Sequence, residues 1–249
     1  MKLPFRIGTR GSLLALWQAN FVKDLLLSAC PELKPQIIEI KTTGDMNLNS
    51  PLSEIGGKGL FVKEIEEVLL TEAVDIAVHS MKDLPAFLPD GLIIGSVAER
   101  HDPRDALVSN GGLMLSQLPE GARVGTGSLR RGAQLLNLMP ELRIKPIRGN
   151  VDTRLRKLRV GEEFEAIVLA AAGLGRMGLI GEAAEIIPAD VIVPAPGQGI
   201  IAVECREGDT ETLDIISKIN HPETWTAGIA ERAFLKRIGG DCNIPVGCY

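Results

Sequence analysis

The chain has 249 residues, more than one hydrophobic core usually serves, so two or more domains are expected. Hydrophobic residues make up 45% and charged residues 24%, a globular balance, and 4% aromatic content is too thin for a platform that stacks on nucleic-acid bases. The net charge of -5 conceals a window from Arg123 to Arg159 that carries +8, leaving -13 elsewhere. A local basic concentration in an acidic protein points to an anionic ligand held in one place rather than to a broad nucleic-acid surface.

The amino terminus, MKLPFRIGTRGS, lacks the apolar run of a signal peptide, and no stretch of about twenty apolar residues is present to cross a bilayer. A cytoplasmic protein without membrane contact is expected. FRIGT (Phe5 to Thr9) predicts a strand, and Ser12 caps a helix over LLALWQANFVKDLLL. IIEIK (Ile37 to Lys41) predicts the next strand, followed by a Gly-rich loop, a helix over LFVKEIEEVLL (Leu60 to Leu70) and a strand in DIAVHS (Asp75 to Ser80). The flexible composition of NLNSPLSEI, before GGKGLFVKE, suits either a cover over a ligand site or a plain surface loop.

ERHDPRDALV (Glu99 to Val108) then reads as a crossing into a second series. That series holds RVGT (Arg123 to Thr126), a helix over SLRRGAQLLNLM, RIKPI (Arg143 to Ile147), a helix over VDTRLRKLRV and the run AIVLAAAGL (Ala166 to Leu174). PAPGQGIIAVECR (Pro194 to Arg206) marks a second crossing and a strand that returns to the first domain. Short aliphatic runs alternating with amphipathic segments are the α/β pattern. The first domain is therefore expected to be discontinuous, residues 1–98 with 199–218, around a second domain at 104–193, with a cleft between the lobes. Residues 221–249 contain one amphipathic helix, AGIAERAFLKRI, and a tail.

Cys30, Cys205, Cys242 and Cys248 form no C-x-x-C, and a reducing compartment disfavours disulfides. His79, His101 and His221 are scattered without zinc-site spacing, so no metal is expected.

Three stretches share one grammar: a strand ends, a Gly or Ser turn follows, and a helix opens with arginine near its first turn. They are GTRGS (Gly8 to Ser12), GTGSLRR (Gly125 to Arg131) and IRGNVDTR (Ile147 to Arg154). Unsatisfied N–H groups at a helix start and a planar guanidinium both suit carboxylate or phosphate. One such turn is more often a solvated arginine with an ordinary cap, but three together favour a polyanion site. No G-x-x-x-x-G-K-[ST] is present, which disfavours nucleotide phosphate. HSMKDLP (His79 to Pro85) follows a strand directly and puts Lys82 and Asp83 at its carboxyl end, where α/β folds place ligands. Spacing leaves two readings open, a solvated ion pair in a turn or a carboxylate that stabilises a cation and moves a proton.

KTTGD, GGKGLFVKEIE, DIAVHSMKDLP, ERHDPRDALVS, VGTGSLRRGAQL, IRGNVDTRL, LAAAGLGRMGL, PAPGQGIIAVECR and AERAFLKRIGGDCNIPVG occur in this order. Together they resemble the porphobilinogen deaminase (hydroxymethylbilane synthase) family from about Arg6 to Tyr249. The resemblance implies an α/β fold of two lobes like type II periplasmic-binding-protein domains around a cleft, with residues 221–249 as the start of a third α/β domain. It implies a dipyrromethane cofactor joined by a thioether to Cys242 as primer, with Cys248 structural or incidental. It implies condensation of four porphobilinogen molecules head to tail with loss of ammonia, and hydrolytic release of hydroxymethylbilane.

By motif position, the resemblance makes Asp83 the essential carboxylate, with Lys82 beside it, tending an electron-poor azafulvene and the cation that follows. It assigns Arg10, Ser12, Ser80, Lys82, Asp83, Thr126, Ser128, Arg130, Arg131, Arg148 and Gly149 to the cofactor. Arg10, Arg148, Arg154 and Arg176 fall to the substrate carboxylates. The basic window then serves as counter-charge to a chain of acetates and propionates. The family usually continues well beyond its cofactor cysteine, whereas this chain stops seven residues after Cys242, so a fragment with weak or no turnover is expected. Porphobilinogen as partner and a monomeric state are likewise implied. The rival expectation is a non-enzymatic, two-lobed anion-binding protein, which would carry no covalent pyrrole adduct.

Overall fold

The computed structural model describes residues 4–42, 62–239 and 244–249. The expected covering loop through residues 47–61 and the cysteine at 242 lie outside the described residues. The chain divides into two compact units, one formed by Met1–Arg100 with Ile200–Cys242, the other by His101–Gly199 with Asn243–Tyr249.

Unit 1 is a five-stranded sheet in the order β2-β1-β3-β10-β4, built from β1 (Phe5–Arg10), β2 (Pro35–Ile40), β3 (Ile76–Ser80), β4 (Leu92–Val97) and β10 (Ile201–Arg206). β1 runs parallel to β2 and β3, and β10 lies antiparallel between β3 and β4. Both faces are covered, which is why the strands read as nearly unbroken apolar runs. Phe5, Ile7, Ile76, Val78, Val203 and Cys205 pack against Ala19, Val22 and Leu26 of α1 (Leu13–Ala29). On the opposite face Ala77 meets Ile65 and Leu69 of α2 (Lys63–Leu70).

Unit 2 repeats the pattern in the order β7-β6-β8-β5-β9, from β5 (Asp105–Ser109), β6 (Arg123–Gly125), β7 (Arg143–Lys145), β8 (Ala166–Ala170) and β9 (Glu185–Ile187). β6 is parallel to β7 and β8, and β5 is antiparallel to both of its neighbours. Leu107, Val124 and Val168 pack with Leu135 of α3 (Leu129–Leu138). The alternate residues Ala106, Val108, Ile167 and Leu169 pack with Leu155 and Leu158 of α4 (Val151–Val160), as the two-residue period of a strand requires. In each unit the antiparallel strand is the first one laid down after a crossing.

Two stretches gain definite bounds. The run AIVLAAAGL is a strand only to Ala170, where α5 (Ala171–Arg176) begins. The helix expected to open a third domain is α7 (Pro222–Arg237), which follows α6 (Thr210–Ser217) and within this chain packs with the residues of unit 1. Its buried residues Thr224, Gly228, Glu231 and Arg232 form one face, and Arg100 grips Glu231 with Nη1 to Oε1 at 2.5 Å and Nη2 to Oε2 at 3.2 Å. Among the described residues no helix is long and apolar enough to cross a membrane.

Candidate active site

In unit 1 the candidate groups gather where β1 and β3 end. Arg10 closes β1, and Ser12 caps α1 by accepting the Ala15 N–H at 3.3 Å. Ser80 closes β3, and a single 3-10 turn, Met81–Asp83, follows. Gln18, buried on α1, donates from Nε2 to Ser80 Oγ at 2.8 Å and ties the helix to the strand end. Arg10, Ser12, Gln18, His79, Ser80 and Asp83 line one small cavity. Asp83 is exposed and Lys82 is half-buried beside it. The turn is held from behind, because Met81 and Leu84 are core residues and Arg232 of α7 donates Nη2 to the carbonyls of Pro85 (2.9 Å) and Ala86 (3.2 Å).

In unit 2 the hydroxyls do local work first. Thr126 Oγ1 accepts the Ser128 N–H at 3.1 Å, and Ser128 Oγ accepts the Arg131 N–H at 3.4 Å, opening α3. Arg130 and Arg131 then turn inward onto Asp105, which is fully buried at the start of β5. Arg130 Nη2 donates to Oδ2 at 2.7 Å; Arg131 donates to Oδ1 from Nη2 at 2.7 Å and from Nε at 3.0 Å. Gln198 Nε2 adds a bond to Oδ1 at 2.9 Å and one to the Pro103 carbonyl at 2.6 Å. Burial pushes the Asp105 carboxyl up, but Arg131 and Arg130 outweigh it and hold the group at about 2. Burial also lowers Arg130 from the usual arginine value. Two guanidiniums on one carboxylate leave net positive charge, and Arg130 Nε has no hydrogen-bond partner.

Arg148, half-buried ahead of α4, likewise has Nη1 shielded from solvent and without a partner. Arg154 donates Nε to the Gly149 carbonyl at 2.7 Å. Gly149 has φ of 112°, and a Cβ there would fall 2.6 Å from Thr153 Cγ2, so this turn needs glycine. Arg176 is buried and donates Nη2 to the Gly199 carbonyl at 2.7 Å. The arginines that the sequence treats alike thus separate by burial: Arg130, Arg131 and Arg176 are buried, whereas Arg10, Arg148 and Arg154 are half-buried. Cys248 is half-buried and its N–H bonds the Pro194 carbonyl at 2.9 Å, a backbone role. No group of three or more metal-binding side chains occurs among the described residues.

Sequence reasoning passed over Asp105, Gln18 and Gln198. Asp105 stood in plain view in DPRDALV, but the signal that identifies it, two arginines 25 and 26 residues later, exists only once β5 and α3 are packed.

Residues 5–214 match the family model described as porphobilinogen deaminase, dipyromethane cofactor binding domain. The porphobilinogen deaminase of Syntrophotalea carbinolica is 52% identical over 244 residues, covering 98% of this chain and 77% of that protein. That of Syntrophomonas wolfei is 52% identical over 241 residues, covering 97% and 78%. Among solved structures, the methionine binding protein MetQ superposes with a TM-score of 0.54 at 13% identity, covering 92% of this chain and 95% of that one. That likeness speaks to fold alone: two mixed α/β lobes of the periplasmic-binding-protein kind.

Proposed function

This chain belongs to the porphobilinogen deaminase family, and from that premise we propose how its own side chains serve the synthesis of hydroxymethylbilane from porphobilinogen. The observation that carries the reading is the cavity at the ends of β1 and β3, where Asp83 faces a wall that also holds Arg10, Ser12 and Ser80. Each substrate pyrrole brings an acetate and a propionate, and a positive centre develops at the carbon that loses ammonia. A carboxylate beside cationic and hydroxyl donors answers both needs: Asp83 stabilises the transient cation, while Arg10, Lys82, Ser12 and Ser80 hold carboxylates.

The described residues fit the dipyrromethane cofactor. Orphaned, solvent-shielded N–H groups on Arg130 and Arg148 are costly unless an acceptor comes to them, and the cofactor carries four carboxylates. Arg130, Arg131, Arg148 and the backbone at Thr126, Ser128 and Gly149 are its candidate holders in unit 2, with Cys242 as the point of attachment. When bound, the cofactor supplies the free pyrrole carbon from which the chain grows. Arg154 and Arg176 complete the set for incoming carboxylates, with Arg176 also serving to fix Gly199. The half-burial of Arg148 and Arg154 leaves them room to change partners as carboxylates accumulate. Buried thiols at Cys30 and Cys205 suit a reducing, cytoplasmic setting, and the protein acts as a monomer on this reading.

Intact-mass measurement of a full-length preparation of the protein tests the assignment. A two-pyrrole adduct on wild type that disappears in Cys242→Ser is expected, together with ammonia release from porphobilinogen by wild type only. An unmodified wild-type mass with no ammonia release would leave the two-lobed anion binder as the better account.

A further inference from the structure

On the face of the unit 1 sheet opposite α1, three buried ionisable side chains meet. His79 of β3 and Glu204 of β10 are 6% and 0% exposed, and His79 Nε2 lies 3.0 Å from Glu204 Oε2. Strand pairing fixes the juxtaposition, because Ala202 is the register partner of His79 and Glu204 that of Ala77. Glu66 comes from α2 above them, 7% exposed, and Glu204 and His79 both act on its charge. From α7, Arg232 is close enough for Glu204 to favour its charged form. β4 offers no ionisable group. Oε1 of Glu66 and Oε1 of Glu204 have no hydrogen-bond partner.

A fold does not need this cluster. Aliphatic residues at the same three positions would pack without the desolvation cost that two buried carboxylates incur. What distinguishes it is its position: His79 is at once the neighbour of Glu204 and part of the wall of the cavity that holds Asp83.

We propose that His79, oriented by Glu204, is the proton acceptor of the Asp83 cavity. The inference rests on the deaminase reading above. In each condensation the C–N bond of the substrate's aminomethyl ammonium breaks and ammonia leaves with the bonding pair. A C–C bond then forms to the free carbon of the neighbouring pyrrole, and that carbon must shed its proton. The imidazole takes the proton while the C–H pair restores the ring, and passes it to the departing ammonia, which leaves as ammonium. Asp83 is ill-suited to do both jobs, since a carboxylate that accepts the proton no longer carries the charge that stabilises the cation. Glu204 engages Nε2, so exchange runs through Nδ1, and its negative charge stabilises the imidazolium that forms. Burial first, and the charge of Glu204 second, raise Glu66 to about 7, against the opposing effect of His79.

The test is steady-state kinetics across pH on the whole protein, with intact mass as the control for cofactor loading. His79→Ala is expected to lower kcat by ~100-fold or more with KM changed less than about threefold, to retain the adduct, and to recover part of its rate in added imidazole. Glu204→Gln keeps the shape and a hydrogen bond but not the charge. It is expected to lower kcat by about tenfold and to change the pH profile, with the adduct intact. A folded, adduct-bearing His79→Ala that retains kcat within about threefold, or one that imidazole does not restore, overturns the proposal. Should His79→Ala fail to fold, a Glu204→Gln profile identical to wild type overturns it alone. Wild type without turnover or adduct would instead overturn the deaminase reading.

Discussion

Oδ1 of Asp105 accepts two hydrogen bonds from Arg131, at 2.7 Å from Nη2 and 3.0 Å from Nε, beneath the first turn of α3. With Arg130 on Oδ2, the one carboxylate is shared by two buried cations. Its folded value of about 2 lies below the ordinary 3.8, so the protein gains from its ionisation above pH ~4 and loses that gain as pH falls from about 4 towards 2. Hydrogen exchange at the amides of β5 and β8 should accelerate over that window. Asp105→Asn should destabilise unit 2 at neutral pH by about 3–5 kcal/mol, because it strands two guanidiniums rather than one. An unchanged unfolding transition in Asp105→Asn would refute the arrangement.

Gly199 adopts a φ of +88°, and a Cβ there would stand 2.4 Å from the His101 carbonyl oxygen. Gly199→Ala should therefore cost well over ~1 kcal/mol and lower Tm, as strain and backbone collision add. Gly175, inside α5 with no atom within 4 Å of a built Cβ, is the control: Gly175→Ala should be neutral or stabilising by up to about 1 kcal/mol. Paired thermal melts of the two variants decide it.

Asp83 is exposed, so Asp83→Asn should leave stability within about 0.5 kcal/mol of wild type. Its turnover should fall by ~100-fold or more, since the positive centre on the substrate would lose its counter-charge. A single-turnover assay that separates binding of porphobilinogen from ammonia release would show the first preserved and the second slowed. An Asp83→Asn protein with near-normal release would remove this residue from the chemistry.

Much of the architecture was legible. Both faces of each sheet are buried, so strands such as IAVHS and AIVLA show as apolar runs, and Ser12 and Ser128 announce the helices they cap. The helix α7 was legible but its buried face was not, for a physical reason. Ile229 and Phe234, with Ile238 just past the last turn, mark the stripe that a sequence reader assigns to a core, yet all three are exposed, while Glu231 and Arg232 are buried through ion pairing and carbonyl contacts. The candidate site divides the same way. The strand-end rule placed Asp83, but an arginine in a helix's first turn looks identical in sequence whether it awaits a ligand or grips Asp105.

The inversion on α7 is itself testable. Glu231→Ala removes one partner of a pair whose side chains are 6% and 13% exposed and should cost about 3 kcal/mol, whereas Phe234→Ala should cost less than about 1 kcal/mol. Chemical denaturation of both variants gives the comparison. A larger loss for Phe234→Ala would mean that this face is covered in solution.

The insertion of β10 between β3 and β4 has a consequence for biogenesis. All five strands of unit 2 precede Pro188, so its sheet can close as soon as that stretch leaves the ribosome. The amino-terminal half of the polypeptide must meanwhile wait with a gap between β3 and β4 until residues Ile201–Arg206 arrive. The segment made first is thus completed last, and during that delay its unpaired strand edges are a natural client for chaperones.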